Sequence, residues 1–261
     1  RAGAKFREGD VEAAVADCHE ALELDASLAS AVAILASARL RNQDFDGAIA
    51  ECGRALRLMQ GGEEPLEDIS GQSVLQLMRL SSVWAERAQA KMALFDYQGA
   101  LDDAQAALRL YQPMAETWSC SGACKLQLDD LEGAAADCSE ALRLDPRCAS
   151  AWAVRGRARL RRGDLRGAIG DSRTAVGLDQ LNASVWDTLA AAVLDAGQPE
   201  DALTAASNAL QLNPRLPSAL ATRGGAKLDL FNLAGAEADC TEALALSSLT
   251  AAAYFNRAGA R

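Results

Sequence analysis

ASAWAVRGRARLRRGDLRGAIGDSRTAVGLDQLN, residues 149–182, is followed without a gap by ASVWDTLAAAVLDAGQPEDALTAASNALQLNPRL, residues 183–216. Laid one over the other, the two stretches place Trp152 on Trp186 and Gly156 on Ala190. Ala168 then falls on Ala202, and Ala175 on Ala209. The offset is 34 residues, a period that belongs to repeat architectures and decides the fold before any local reading. Working outward, Trp84 and Trp118 keep the same spacing. Gap-free frames follow at 81–114, 115–148, 149–182, 183–216 and 217–250, with a partial repeat at 251–261. The twentieth place of the full frames is alanine throughout (Ala100, Ala134, Ala168, Ala202, Ala236), and so is the twenty-seventh (Ala107, Ala141, Ala175, Ala209, Ala243).

Upstream, Ala48 and Ala55 place another repeat at 29–62, and Ala14 and Ala21 the second half of one at 1–28. Residues 63–80 interrupt the period once: an acidic loop with Glu63, Glu64, Glu67 and Asp68, then Val74, Leu77 and Met78 at helical spacing. This predicts about two extra turns on the next helix, either a tolerated surface insertion or a contact element. Each repeat reads as two amphipathic helices, A and B, broken near Gly163-Asp164 or Gly197-Gln198. A single hairpin cannot bury its apolar face, but stacked neighbours can. Small residues are expected where A and B cross closely, with Gly156 facing Ala168.

The tryptophan, Gly/Ala, alanine and proline places recur together, the last at Pro146 and Pro214, and this pattern resembles the tetratricopeptide repeat (TPR) family over nearly the whole chain. The resemblance implies an all-α, right-handed α-solenoid of stacked antiparallel helix pairs. It also implies a concave groove lined mainly by A helices, at places two, five, six, nine, twelve and thirteen.

Composition agrees. The chain of 261 residues has 57 alanines, six prolines and only 5% aromatic residues, which favours helix and a core of small side chains. A net charge of −10 weighs against a nucleic-acid binder. No apolar run approaches membrane-spanning length, and residues 1–7 carry no apolar signal core. Ending inside repeats at both termini, the chain is expected to be part of a longer protein or a larger assembly.

Seven dispersed cysteines suggest a reducing compartment, cytoplasmic or an organelle stroma or matrix. Cys18, Cys52, Cys138 and Cys240 share the twenty-fourth place, one per repeat, and read as core thiols opposite large partners. Cys120 and Cys124 supply half a zinc site at most. With no Gly-rich phosphate loop, HExxH or GxSxG, neither catalysis, a cofactor nor a metal is expected.

Charged residues carry more information. Arg1, Arg87, Arg155 and Arg223 share the seventh place, and Asp17, Asp103, Asp171 and Asp239 stand sixteen residues later. Both are missing at Leu189 and Ala205, while Glu51 and Asp137 keep the acid opposite Leu35 and Ser121. The expectation is a register-setting pair within each hairpin, worth under about 1 kcal/mol if exposed. Frame 149–182 is net +4 between frames of −4 and −3. The TPR resemblance puts Arg157 and Arg161 in the groove, then Asp187, Asp195 and Asp229. Two readings follow: a bipolar groove that takes a partner carboxylate and then a basic group, or arginines that merely pair with neighbouring repeats.

The resemblance implies a non-enzymatic protein–protein interaction scaffold, binding an acidic peptide, a chain end or a helix. The alternatives are a structural subunit or assembly factor, or a co-chaperone. The co-chaperone clamp for heat-shock protein carboxylates needs asparagine at place nine, and no full repeat has it. Only Tyr254-Phe255-Asn256-Arg257-Ala258 resembles its middle unit, which makes Asn256 a candidate contact and leaves a clamp only outside this segment.

Overall fold

The computed structural model describes residues 2–62 and 71–260, apart from the side chain of Arg7. All fifteen elements among them are α-helices, and they fall into two compact units that divide at Asp130 and Leu131. The first holds α1 (Ala2–Glu8), α2 (Val11–Leu24), α3 (Ala29–Arg41), α4 (Phe45–Gln60), α5 (Val74–Ala93), α6 (Tyr97–Leu110) and α7 (Ala115–Gln127). The second holds α8 (Leu131–Leu144), α9 (Ala149–Arg161), α10 (Leu165–Leu178) and α11 (Ala183–Asp195). It continues with α12 (Pro199–Leu212), α13 (Pro217–Asp229), α14 (Leu233–Leu246) and α15 (Ala251–Ala260). Within each unit consecutive helices pack as hairpins and each hairpin packs on the next, which is α-solenoid packing.

The frame locates the helix ends. α3, α7, α9, α11 and α13 each start on the first residue of a frame and run 13 residues. B helices start at the seventeenth place because the sixteenth is an N-cap. Asp44, Asp96, Asp164 and Asn232 accept from the amides of Gly47, Gly99, Gly167 and Gly235. The capping carboxylate lies so close that a Cβ on Gly47, Gly99 or Gly167 would be 2.2 Å from its oxygen. Frame 183–216 confirms the coupling: Gln198 makes no side-chain cap, Pro199 opens the helix, and the glycine place holds Asp201.

The insertion behaves as its spacing predicts. α5 runs 20 residues, seven of them upstream of its frame, and opens on a Ser73–Gln76 capping box. The acidic stretch Glu63, Glu64, Glu67 and Asp68 lies outside the described residues, as does Arg1. One consequence of the longer helix concerns the tryptophans. Trp118, Trp152 and Trp186 each donate their indole N–H to a carbonyl six residues upstream, those of Gln112, Pro146 and Gln180. For Trp84 that residue is Met78, inside α5, and the fully buried indole N–H has no partner among the described residues.

Helix crossing is tight where glycine was expected, but against a different place. Gly156 faces Ser172 rather than Ala168: a Cβ there would meet Ser172 Oγ at 2.9 Å and Asp171 Cβ at 3.3 Å. The helices cross one turn further along than the pairing with the twentieth place assumed. On Gly224 a Cβ would lie 2.5 Å from Cys240 Sγ, so the close partner of the thiol is a glycine. Frames 81–114 and 183–216 carry Ala88/Ala104 and Ala190/Ala206 at these places, trading one large–small pair for two middling ones. Gly224→Ala should therefore cost about 1–3 kcal/mol by overpacking, and Cys240→Ala in the same chain should recover most of it. Denaturant midpoints of the two single variants and the double decide this; additive losses would show that the two sites are not in contact.

All seven cysteines are unpaired and buried, and those at the twenty-fourth place have no exposed surface. Burial pushes the Cys52 and Cys138 thiols up to about 12, so they are inert packing atoms near neutral pH.

The arginine–aspartate pairs form as the spacing predicts, but they are not exposed. Arg87 grips Asp103 through Nε and Nη2, both at 2.8 Å, with side chains 8% and 3% exposed. Arg155–Asp171 and Arg223–Asp239 repeat the two-point contact. The exposed-pair value therefore does not apply to Arg87–Asp103, where both side chains are buried. Each acid also takes a second cation from the eleventh place, twelve residues upstream: Lys91 at 2.8 Å, Arg159 at 2.9 Å and Lys227 at 2.7 Å. The same place supplies Lys5 to Asp17 at 2.9 Å and Arg39 to Glu51 at 3.5 Å, so Glu51 does not stand alone. Arg87 and Arg155 further stack on Trp84 and Trp152, 4.5 and 4.7 Å from the ring centroids.

Candidate functional site

In the second unit α9, α11, α13 and α15 pack side by side and form one continuous face of A helices. Much of it is small: Ala153, Ala191, Ala221 and Gly225 stand at groove places five and nine. Charged and polar groups are set among them.

Arg157 of α9 lies largely buried and reaches across to the next hairpin. Its guanidinium donates to the Oγ and carbonyl of Ser184 and to Thr188 Oγ1 at 3.4 Å, at places two and six of that frame. Burial lowers its pKa, with Asp187 opposing and Arg161 reinforcing the shift, yet an arginine stays charged. Asp187, one turn along α11 from Ser184, accepts from Ser218 Oγ of α13 at 2.6 Å. Its Oδ1 is buried with no partner among the described residues. Burial raises its pKa, while Ser218 and Arg157 pull it down. Arg157 and Asp187 thus attract each other without forming an ion pair among the described residues.

Arg161, Asp195 and Asp229 are the last residues of α9, α11 and α13, all exposed on the same end of the face. An arginine suits a helix C-terminus; an aspartate there works against the helix dipole. Asn256 of α15 turns its Nδ2 to the Ala221 carbonyl at 3.1 Å and packs over Gly225, so one of its two amide hydrogens is spent on α13. The six residues singled out from the sequence therefore stand on the A helices of one unit, but Arg157, Asp187 and Asn256 already bond to a neighbouring hairpin.

The first unit holds a charged group the sequence did not single out. Glu86 of α5 accepts from Ser37 Oγ of α3 at 2.7 Å, 49 residues upstream, and its second oxygen is buried without a partner among the described residues. Burial pushes the carboxyl up to about 7, against smaller downward contributions from Ser37 and Arg41. Arg41 is itself held over the Phe6 ring at 4.0 Å. The available signal was a glutamate at place six of a frame that otherwise carries apolar or small residues there, at Ile34, Cys120 and Val154.

No family model matches this chain, and no curated protein matches it. Solved structures do. The Cut9–Hcn1 hetero-tetramer of the APC/C superposes with a TM-score of 0.77 at 14% identity, over 99% of this chain and 48% of that one. A tetratricopeptide repeat protein from Parabacteroides merdae gives 0.62 at 14% identity, over 99% and 95%. YrrB, described as a TPR protein with an unusual peptide-binding site, gives 0.54 at 15%, over 68% and 92%. The fold is the tetratricopeptide repeat. This chain spans about half the length of the Cut9–Hcn1 chain it matches. At these identities the likeness carries the TPR architecture and not a ligand. No helix among the described residues of this TPR array is long and apolar enough to cross a membrane.

Proposed function

We propose that this chain is a non-catalytic protein-interaction scaffold whose second unit takes a partner peptide or helix along the face of α9, α11, α13 and α15. The observation that carries the reading is Asp187: a buried carboxylate oxygen without a partner, beside a buried arginine that it does not pair with. Buried polar groups are nearly always satisfied, and an orphan on a face of small residues supports an acceptor for a partner's donor. The two aspartates that end α11 and α13 against the helix dipole support the same reading. The partner then presents a carboxylate towards Arg161 and Arg157, where a guanidinium gives two-point contact. Basic or N–H groups follow towards Asp187, Asp195 and Asp229, and Asn256 borders the site through its carbonyl oxygen.

A second reading is a subunit of a larger assembly. It draws on the extent of the likeness to Cut9–Hcn1, a hetero-tetramer. Both readings use a protein partner, and the chain's net charge of −10 disfavours nucleic acid for either.

A random-peptide phage library panned on the second unit's face within the full chain tests the proposal. Selected peptides should pair an acidic residue with a basic one. Arg161→Glu, an exposed change, should weaken them by about tenfold or more while leaving the helical signal intact. Raised salt should weaken them too. Selection of uncharged peptides, or equal binding by Arg161→Glu, would overturn the charge assignment.

A further inference from the structure

Place ten of the frame is alanine in every other repeat: Ala4, Ala38, Ala90, Ala158, Ala192, Ala226 and Ala260. Frame 115–148 alone departs, with Cys124, and it sets Cys120 four residues upstream on the same helix, α7. No other helix among the described residues carries two cysteines. Packing does not ask for a second sulfur here, since a methyl group fills the same place seven times elsewhere in the chain.

The two thiols converge. Residues four apart on a helix share a face, with Cβ atoms about 5–6 Å apart. Both side chains join one buried cluster with Ala88, Ala100, Leu101 and Ala104, and Met92 packs against it. Cys124 has no exposed surface, and Cys120 is 7% exposed. Within the cluster the thiols hydrogen-bond to each other; that bond pulls the Cys124 thiol down against its burial, and with burial it pushes the Cys120 thiol up.

The donor set selects the ion. Among the described residues no three of His, Cys, Asp or Glu gather around one point, so a four-ligand zinc shell cannot be completed. Two thiolates do suffice for a soft monovalent ion that accepts a linear pair of sulfurs, and thiolate and thioether surroundings favour copper(I). The alanines, Leu101 and Met92 bring no side-chain oxygen, which disfavours harder ions.

We propose that Cys120 and Cys124 hold one copper(I) ion between their sulfurs in the core of the first unit. Each thiol gives its proton to solvent as its sulfur bonds the metal. The ion arrives and stays as copper(I), delivered by a labile carrier, so no electron is exchanged. Cys120 retains the exposed edge through which the ion enters. The site is independent of the face proposed in the second unit, because it uses other residues and other chemistry.

The probe is copper(I) itself, added without oxygen as its acetonitrile complex to the full chain, with bathocuproine disulfonate as the competing chelator. One ion per chain should be taken up, with an ultraviolet thiolate-to-copper band and only sulfur neighbours in the copper X-ray absorption spectrum. The helical signal should persist, and the unfolding midpoint should rise with copper(I) concentration. Cys124→Ala installs the residue of all other repeats, so it should fold as the parent does and bind about a hundredfold more weakly or worse. Cys120→Val, the residue of frame 149–182 at that place, should lose binding in the same way, and Cys240→Ala should keep it. Zinc(II) in about tenfold excess should not displace the copper. No uptake against the chelator, equal uptake by Cys124→Ala, or nitrogen or oxygen neighbours at the metal would each overturn the proposal. So would loss of the helical signal on binding, which would mean that only the unfolded chain captures the ion.

Discussion

Asp103→Ala is expected to cost about 3–5 kcal/mol of unfolding free energy, the largest loss of any single change considered for this chain. Asp103 is 3% exposed and receives three donors: two from Arg87 and one from Lys91. Removing it strands a guanidinium that is itself 8% exposed and pinned against Trp84. The chain also contains its own control. In frame 183–216 the three corresponding places hold Leu189, Val193 and Ala205, all buried in one apolar cluster. Repacking a buried ion cluster with apolar residues of similar volume is often neutral or stabilising. The triple variant Arg87→Leu, Lys91→Val, Asp103→Ala should therefore return to near the parent stability while the single change does not. Denaturant unfolding of the three proteins measures this. A single-variant loss below about 1 kcal/mol, the exposed-pair range, would show that the cluster is hydrated after all.

Glu86→Gln is expected to leave stability unchanged at pH 4 and to raise it at pH 8. The folded carboxyl sits at about 7 and the unfolded one at 4.5. Between those values the folded chain holds a proton that the unfolded chain has released, so stability falls as pH rises through that window. The loss is complete above pH 7. At about 1.4 kcal/mol per pH unit, the window sets a ceiling of about 3 kcal/mol on the gain from a neutral side chain. Glutamine keeps an acceptor for Ser37 and carries no charge to desolvate. Thermal melts of both proteins at the two pH values supply the test. An equal effect at both, of either sign, would mean that Glu86 stays ionised in the folded chain.

Much of the charge logic is legible in the repeat: the seventh and twenty-third places co-occur. The eleventh place follows the acid more faithfully still: Lys5, Arg39, Lys91, Lys125, Arg159 and Lys227 accompany Asp17, Glu51, Asp103, Asp137, Asp171 and Asp239, and Val193 accompanies Ala205. Places seven and eleven are one helical turn apart, so one carboxylate between helices can receive from both. For the candidate site the sequence assigns Arg157, Arg161, Asp187, Asp195, Asp229 and Asn256 to A helices through frame and helix period alone. It could not show that Ser184 and Thr188 take the Arg157 guanidinium, or that Asn256 bonds to Ala221. Those contacts join residues 27 to 35 apart, through the distance between hairpins.

By itself the sequence determined the 34-residue frame and, through it, where the B helix of each full repeat starts. Caps at the sixteenth place, glycine three residues on and alanines at two fixed places act within a few residues of themselves, and local chemistry is repeated in register each time the frame recurs. Only the tertiary structure decided which charges lost their water. Burial is set by how closely one hairpin lies on the next, so the Asp103 cluster, the Glu86 carboxyl and the orphan oxygen of Asp187 acquire their properties from packing.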